Sequence, residues 1–208
     1  TGSPFADVLQ GYSGNDSING YEGNDALEGG NGNDAIYGGG GNDTFDYDVS
    51  SRSGNDQFFG GTGDDVFVFD TVLDTAVENY GEGSDTIWVS FNYSLTKLPY
   101  VENLRVYGSS GVTITGNAEN NFLTGGSGND VLAGGAGTDA FGFSVNQGVD
   151  RITDFSISQG DYIRIAAGVN GITTSTQALA HVYTDVNGYA AVDLGGGNSV
   201  SLVGVAAS

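Results

Sequence analysis

The chain has 208 residues, enough for one domain or two small ones, and sets 26 Asp and Glu against 5 Lys and Arg, for a formal net charge of -21. Charge of that sign and size excludes nucleic acid and anionic membrane as direct partners, because their phosphates would repel it, and it favours cations. There is no cysteine, which rules out disulfides and thiolate metal sites, and no apolar run reaches the roughly 20 residues of a membrane span.

In chain order, the first elements are repeats. A loose copy, "GSPFADVLQ" (2–10), precedes "GYSGNDSIN" (11–19), "GYEGNDALE" (20–28), "GGNGNDAIY" (29–37) and "GGGGNDTFD" (38–46), which follow one another without gaps. Four extra residues, "YDVS", come next, and the period resumes with "SRSGNDQFF" (51–59) and "GGTGDDVFV" (60–68). Residues 69–115 interrupt the period, yet "YGEGSDTIW" (80–88) keeps Gly83, Asp85 and Ile87 at positions four, six and eight, as a degenerate turn and strand would. "VTIT" reads as a short strand, and Pro99 argues against a continuous helix. A second block holds "GNAENNFLT" (116–124), "GGSGNDVLA" (125–133) and "GGAGTDAFG" (134–142). "GVDRITDFSISQGDYIRI" (148–165) alternates apolar and polar residues, and "TSTQALAHVY" (174–183) has room for one short helix. Asn187-Gly188 between the alternating runs "HVYTDV" and "YAAVDL" predicts a hairpin, with "SVSLVGV" as a further strand.

Each repeat divides into a six-residue turn and a three-residue strand. Glycine at positions one, two and four permits positive φ. Asparagine at position five (Asn15, Asn24, Asn33, Asn42, Asn55, Asn129) is expected to serve the same left-handed backbone. Position six is aspartate, and position eight is a large apolar residue: Leu9, Ile18, Leu27, Ile36, Phe45, Phe58, Phe67, Leu123, Leu132 and Phe141. A disordered glycine-rich linker would explain the composition but not that register.

The pattern G-G-x-G-x-D-x-U-x, with U apolar, resembles the calcium-binding repeats of the repeats-in-toxin (RTX) family. The resemblance implies an all-β fold: a parallel β-roll, or β-helix solenoid, in which two nonapeptides complete a coil and turns eighteen residues apart stack. It implies a first array at 1–68, a spacer at 69–115, a second array at 116–150, and an antiparallel β cap at 151–208 with a secretion-signal-like tail. Calcium takes roughly six to eight oxygens, more than one turn supplies, so stacked turns are expected to share each ion. The expected pairs are Asp7 with Asp25, Asp16 with Asp34 and Asp25 with Asp43; with "YDVS" absorbed as a bulge, Asp34 pairs with Asp56 and Asp43 with Asp65.

The further carboxylates the resemblance implicates are Asp130, Asp139, Asp150, Asp154 and Asp161. The turn glycines whose carbonyls would join them are Gly11, Gly14, Gly20, Gly23, Gly29, Gly32, Gly38, Gly41, Gly63, Gly125, Gly128, Gly134 and Gly137. Roughly five to eight calcium ions are expected. Glu119 and Asn121 stand where glycine and aspartate belong, so that site is expected to be weak or missing.

One apolar side chain per nine ordered residues is little burial for so much glycine, and self-repulsion opposes folding further, so the metal-free chain is expected to be largely unfolded. The family implies a secreted protein, extracellular or on the surface of a Gram-negative bacterium, exported by a type I secretion machinery. The start, "TGSPFADVLQ", already lies within a repeat, which points to a longer parent protein. No HExxH or GxSxG motif occurs, and the single histidine, His181, reads as a strand surface residue, so no catalytic residue is expected. Trp88, Tyr80, Phe91 and Tyr93 raise the alternative of a surface-attachment or carbohydrate-binding module, carried by an adhesin or polysaccharide-modifying enzyme, with an extracellular polysaccharide as partner.

Overall fold

The computed structural model describes residues 1–47 and 53–206. They form two compact units, Thr1–Val89 with Leu98–Asn103, and Ser90–Lys97 with Leu104–Ser208.

The first unit contains β1 (Val8–Gln10), β2 (Ser17–Glu22), β3 (Ala26–Glu28), β4 (Ala35–Gly40), β5 (Thr44–Phe45), β6 (Gln57–Thr62), β7 (Val66–Val68), β8 (Thr75–Val77) and β9 (Thr86–Val89). Alternate strands pair in parallel, β1-β3-β5-β7-β9 in one sheet and β2-β4-β6-β8 in the other. Consecutive strands therefore lie in different sheets, and one coil takes two nonapeptides. Register stacks the position-eight residues into two ladders, Leu9-Leu27-Phe45-Phe67-Ile87 and Ile18-Ile36-Phe58-Ala76. All but Leu9 are buried. Because strand side chains alternate between faces, a slip of one residue would turn each ladder outward, so the apolar slot fixes the register. The Phe45 and Phe67 rings stack at 4.8 Å, and Phe58 meets Phe45 edge-on at 5.7 Å.

The coil spacing lengthens from 18 to 22 residues across the "YDVS" insertion, yet Ala35 still pairs with Gln57 and Thr44 with Val66. Insertion residues 48–50 lie outside the described residues. Beyond the last clear repeat, β8 continues on β6, and β9 on β7.

The second unit contains β10 (Tyr93–Ser94), most of β11 (Asn103–Val106), β12 (Thr113–Thr115), β13 (Phe122–Thr124), β14 (Val131–Ala133), β15 (Ala140–Phe143), β16 (Val149–Ile152) and β17 (Tyr162–Ile165). The two-sheet coil recurs, with ladders Ile114-Leu132-Ile152 and Leu123-Phe141-Ile163. The outward Phe122 ring has the guanidinium carbons of Arg105 and Arg164 at 5.5 and 5.6 Å from its centre, a cation–π arrangement that engages two of the chain's few cations.

After β17 the chain forms one short helix, α1 (Ser175–Ala180), and then β18 (Val182–Thr184), β19 (Tyr189–Gly195) and β20 (Asn198–Ala206). These three strands are antiparallel neighbours, and β20 also runs parallel to β16, which joins the cap to the roll. At the Asn187-Gly188 hairpin, Asp185 Oδ1 accepts the N–H groups of Asn187 and Tyr189. His181 departs from expectation. It closes the C-terminus of α1, and its Nδ1 lies 2.9 Å from Asn170 Nδ2, because the chain enters β18 only at Val182.

Candidate metal centre

The turns are held by two side-chain ladders that run in opposite directions. At position six, the N–H of each aspartate donates to Oδ1 of the aspartate one coil later. Asp7 donates to Asp25, Asp16 to Asp34 and Asp25 to Asp43, each at 2.8 Å. Across the insertion, Asp34 donates to Asp56 and Asp43 to Asp65 at the same distance. All five expected pairs thus stack. At position five the reach is reversed: Asn15 Oδ1 accepts from the Asn33 N–H, Asn24 from Asn42, and Asn33 from Asn55, at 2.9 Å. None of the position-five asparagines has positive φ, which corrects the expectation of a left-handed residue there; asparagine is used for its side-chain acceptor instead.

Positive φ belongs to positions two and four. Position four is glycine, as at Gly32 (φ 134°) and Gly41 (φ 120°), and both alpha carbons face a carbonyl of the preceding coil too closely for any side chain. Position two tolerates Tyr12 (φ 72°) and Tyr21 (φ 78°), whose side chains are exposed. Position one has no positive φ and is glycine for a different reason. A methyl group on Gly20 would overlap Asp25 Oδ2 and come within 2.7 Å of the Gly38 carbonyl oxygen; on Gly11 it would meet Asp16 Oδ2 at 2.7 Å and the Gly29 carbonyl at 2.6 Å. Gly29, Gly38, Gly125 and Gly134 each face the Oδ2 of Asp34, Asp43, Asp130 and Asp139 in the same way.

Those Oδ2 atoms decide what the cradle is for. Among the described residues, Oδ2 of Asp16, Asp25, Asp34, Asp43, Asp56, Asp65, Asp130 and Asp139 is buried and has no hydrogen-bond partner. A buried unpartnered acceptor is costly, and acceptors gathered without donors are what a hard cation requires. Burial pushes seven of these carboxyls above their ordinary range, offset in part by the backbone N–H each accepts: Asp25 and Asp34 upward, Asp43, Asp130 and Asp139 to about 6, and Asp56 and Asp65 to about 7. Carboxylate and carbonyl oxygens, with no thiolate and no imidazole among them, suit calcium.

Four copies of the RTX calcium-binding nonapeptide repeat model match residues 1–36, 22–49, 49–71 and 107–141, together just over half of the chain. The chain belongs to the RTX calcium-binding repeat family. As an RTX module it is an all-β parallel β-roll that binds calcium, and the roll itself is a structural domain rather than a catalytic one. No curated protein sequence matches it closely enough to count as a relative. Among solved structures it is similar to the extracellular lipase LipA from Serratia marcescens, at 20% identity and a TM-score of 0.39, over 99% of this chain and 37% of the lipase.

Not every implicated residue sits alike in this RTX module. Asp154 accepts the Gly134 and Gly135 N–H groups, one on each oxygen, and Asp161 accepts those of Asp139 and Ser156. Asp7 holds Ser3 through Oδ2. Asp150 accepts the Asp130 N–H and is raised by burial to about 7. Asn121 places an amide oxygen over Gly116, where a carboxylate stands elsewhere, and that oxygen accepts the Asn117 N–H at 2.7 Å.

The carboxylate ladder also extends through Asp74 and Glu102, which the repeat pattern does not mark, and through Asp85 of the degenerate turn. Asp56 donates to Asp74, Asp65 to Asp85, and Asp85 to Glu102. Asp74 had a usable signal, eighteen residues after Asp56 with Ala76 two places on, but its repeat lacks the glycines that mark the others. Of the aromatics that raised the carbohydrate-binding alternative, Tyr80 pairs with Tyr100 and Phe91 with Tyr93, each edge-on.

Proposed function

We propose that this chain is a calcium-driven folding module of a larger extracellular protein, exported unfolded through a type I secretion machinery and folded by calcium outside the cell. The observation that carries the reading is the file of buried Oδ2 atoms, each without a hydrogen bond and all but that of Asp56 beside a glycine that leaves a cradle open. Asp16, Asp25, Asp34, Asp43, Asp56 and Asp65, with Asp130, Asp139 and Asp150 in the second unit, hold the ions together with position-one carbonyls such as those of Gly29, Gly38 and Gly60. Roughly five to eight ions bind. Each ion supplies charge neutralisation and cross-linking between coils that the chain's own groups lack.

In a compartment poor in calcium the buried carboxylates repel one another and the chain stays extended, the state a secretion channel threads. Outside, even sites with dissociation constants on the order of 10⁻⁴–10⁻³ M fill, and binding free energy becomes folding free energy. The antiparallel β18-β19-β20 cap gives the roll a closed end from which coils propagate. No helix among the described residues is long and apolar enough to cross a membrane.

Equilibrium dialysis with calcium, compared between the wild-type chain and Asp34→Asn, tests the assignment. Wild type should hold several ions and Asp34→Asn one or two fewer, with magnesium failing to compete because it demands a tighter octahedron. An unchanged ion count in the variant would remove Asp34 from the ligand set, and a wild-type chain holding no calcium would end the reading.

A further inference from the structure

Glu78 has no place among the nonapeptide ligands, yet it is buried, 7% exposed, with both carboxylate oxygens enclosed. It directly follows β8, whose Val77 pairs with Phe59 of β6, so it stands opposite Gly60 on the neighbouring coil. In the same file Gly38 stands opposite Gly60, so Glu78 takes the slot that glycine fills elsewhere. A methyl group on Gly60 would overlap both Glu78 Oε1 and Asp65 Oδ2, so the two carboxylates enter one cradle. Neither oxygen of Glu78 forms a well-directed hydrogen bond, and Asp65 Oδ2 has none.

The third carboxylate comes from Asp85, whose Oδ1 accepts the Asp65 N–H at 2.9 Å. One oxygen from each of Asp65, Glu78 and Asp85 lies within 4.8 Å of the others, and all three residues are buried. Calcium bonds of roughly 2.3–2.6 Å place ligands on opposite sides of one ion about 4.6–5.2 Å apart, so three oxygens with this spread can reach a single calcium. An ordinary cradle faces one free carboxylate oxygen and a carbonyl; this one gathers three carboxylates.

We propose that Asp65, Glu78 and Asp85 form a dedicated tri-carboxylate cation site, different in kind from the repeat cradles, that takes the first calcium ion bound by this chain. The proposal rests on the calcium-folding reading above and adds an order of filling. Glu78 replaces the glycine slot with a third negative charge, and ligand charge is the main determinant of calcium affinity at oxygen sites. The first ion thus pins β6 through Glu78's strand neighbour β8, and β7 to β9 through Asp65 and Asp85, before the repeat sites fill.

Calorimetric titration of the full chain with calcium tests this, run on wild type, Glu78→Gln and Asp130→Asn. Wild type should show one ion distinctly tighter than the rest. Glu78→Gln, which keeps the shape and removes a buried charge, should weaken that ion by about tenfold or more and leave the others in place. Asp130→Asn, in the second unit, should keep the tight ion and lose a weaker one. If Glu78→Gln does not fold in saturating calcium, Glu78→Gly restores the ordinary slot and should likewise lose the tight ion alone. A wild-type titration with a single class of sites, or a folded Glu78 variant that keeps the tight ion, overturns the tri-carboxylate site and leaves the module reading intact. Absence of any calcium binding in wild type and Asp130→Asn would instead defeat the module reading itself.

Discussion

Gly14 and Gly20 sit in adjoining repeats, yet alanine should fail at each for a different reason. Gly14 has φ of 114° with open space around it, so Gly14→Ala strains only the backbone and costs about 1 kcal/mol, with the ion count unchanged. Gly20 has an ordinary backbone but faces Asp25 Oδ2 and the Gly38 carbonyl, so Gly20→Ala should remove an ion. Ion counting on the two variants separates them, and equal counts would contradict the cradle. The asparagine ladder makes a third case. Asn33→Ala strips the acceptor from the Asn55 N–H and should cost about 1 kcal/mol in denaturant unfolding at saturating calcium, without loss of an ion. A lost ion there would make position five a ligand rather than a strut.

At the scale of the strand and turn, the apolar ladder and the carboxylate ladder act in opposition. Phe67 is fully buried and stacked on Phe45, so Phe67→Ala should destabilise the calcium-loaded fold by about 3–5 kcal/mol and raise the calcium midpoint. A midpoint equal to wild type would show that the core adds nothing to the ions. The carboxylates carry a pH dependence whose sign follows from burial. Asp56, Asp65 and Asp85 titrate near 3.8 when exposed and at about 7 in the metal-free fold, chiefly because burial disfavours the charged form. Between those values the fold holds protons that the unfolded chain has released. Metal-free stability is therefore gained as pH falls through 7 and lost as it rises. In chelator, circular dichroism should show more β structure at pH 5 than at pH 8, and the opposite trend would contradict the burial of these groups. The ladders also mark what the sequence could and could not disclose. Period and register are written in positions six and eight, because a short parallel strand keeps one side chain inward and one turn residue in line; the coil size and the five aspartate pairs followed from the RTX resemblance. The hairpin at Asn187-Gly188 was equally plain. Glu78 was not, since no motif position holds it and only the fold sets it against Gly60. The asparagine ladder was hidden because asparagine's backbone tolerance and its side-chain acceptor leave the same letter in the sequence.

For the molecule as a whole, the balance is between a charge of -21 and a core to which most short strands of the roll give only one or two residues. Each strand contributes little burial, and in the proposed calcium-driven folding the ions supply cohesion where carboxylates would otherwise repel. Eight bound ions would reduce the charge to about -5, enough to relieve most of the repulsion. Calcium should thus act as an all-or-none ligand across neighbouring coils, because each shared aspartate belongs to two stacked turns. The most direct test starts from chelated protein and adds calcium while hydrodynamic radius and far-ultraviolet circular dichroism are followed together. The account predicts an expanded, weakly structured chain in chelator that becomes compact and β-rich in one cooperative step between submillimolar and millimolar calcium. A chain already compact and fully β-structured in chelator at neutral pH would contradict it.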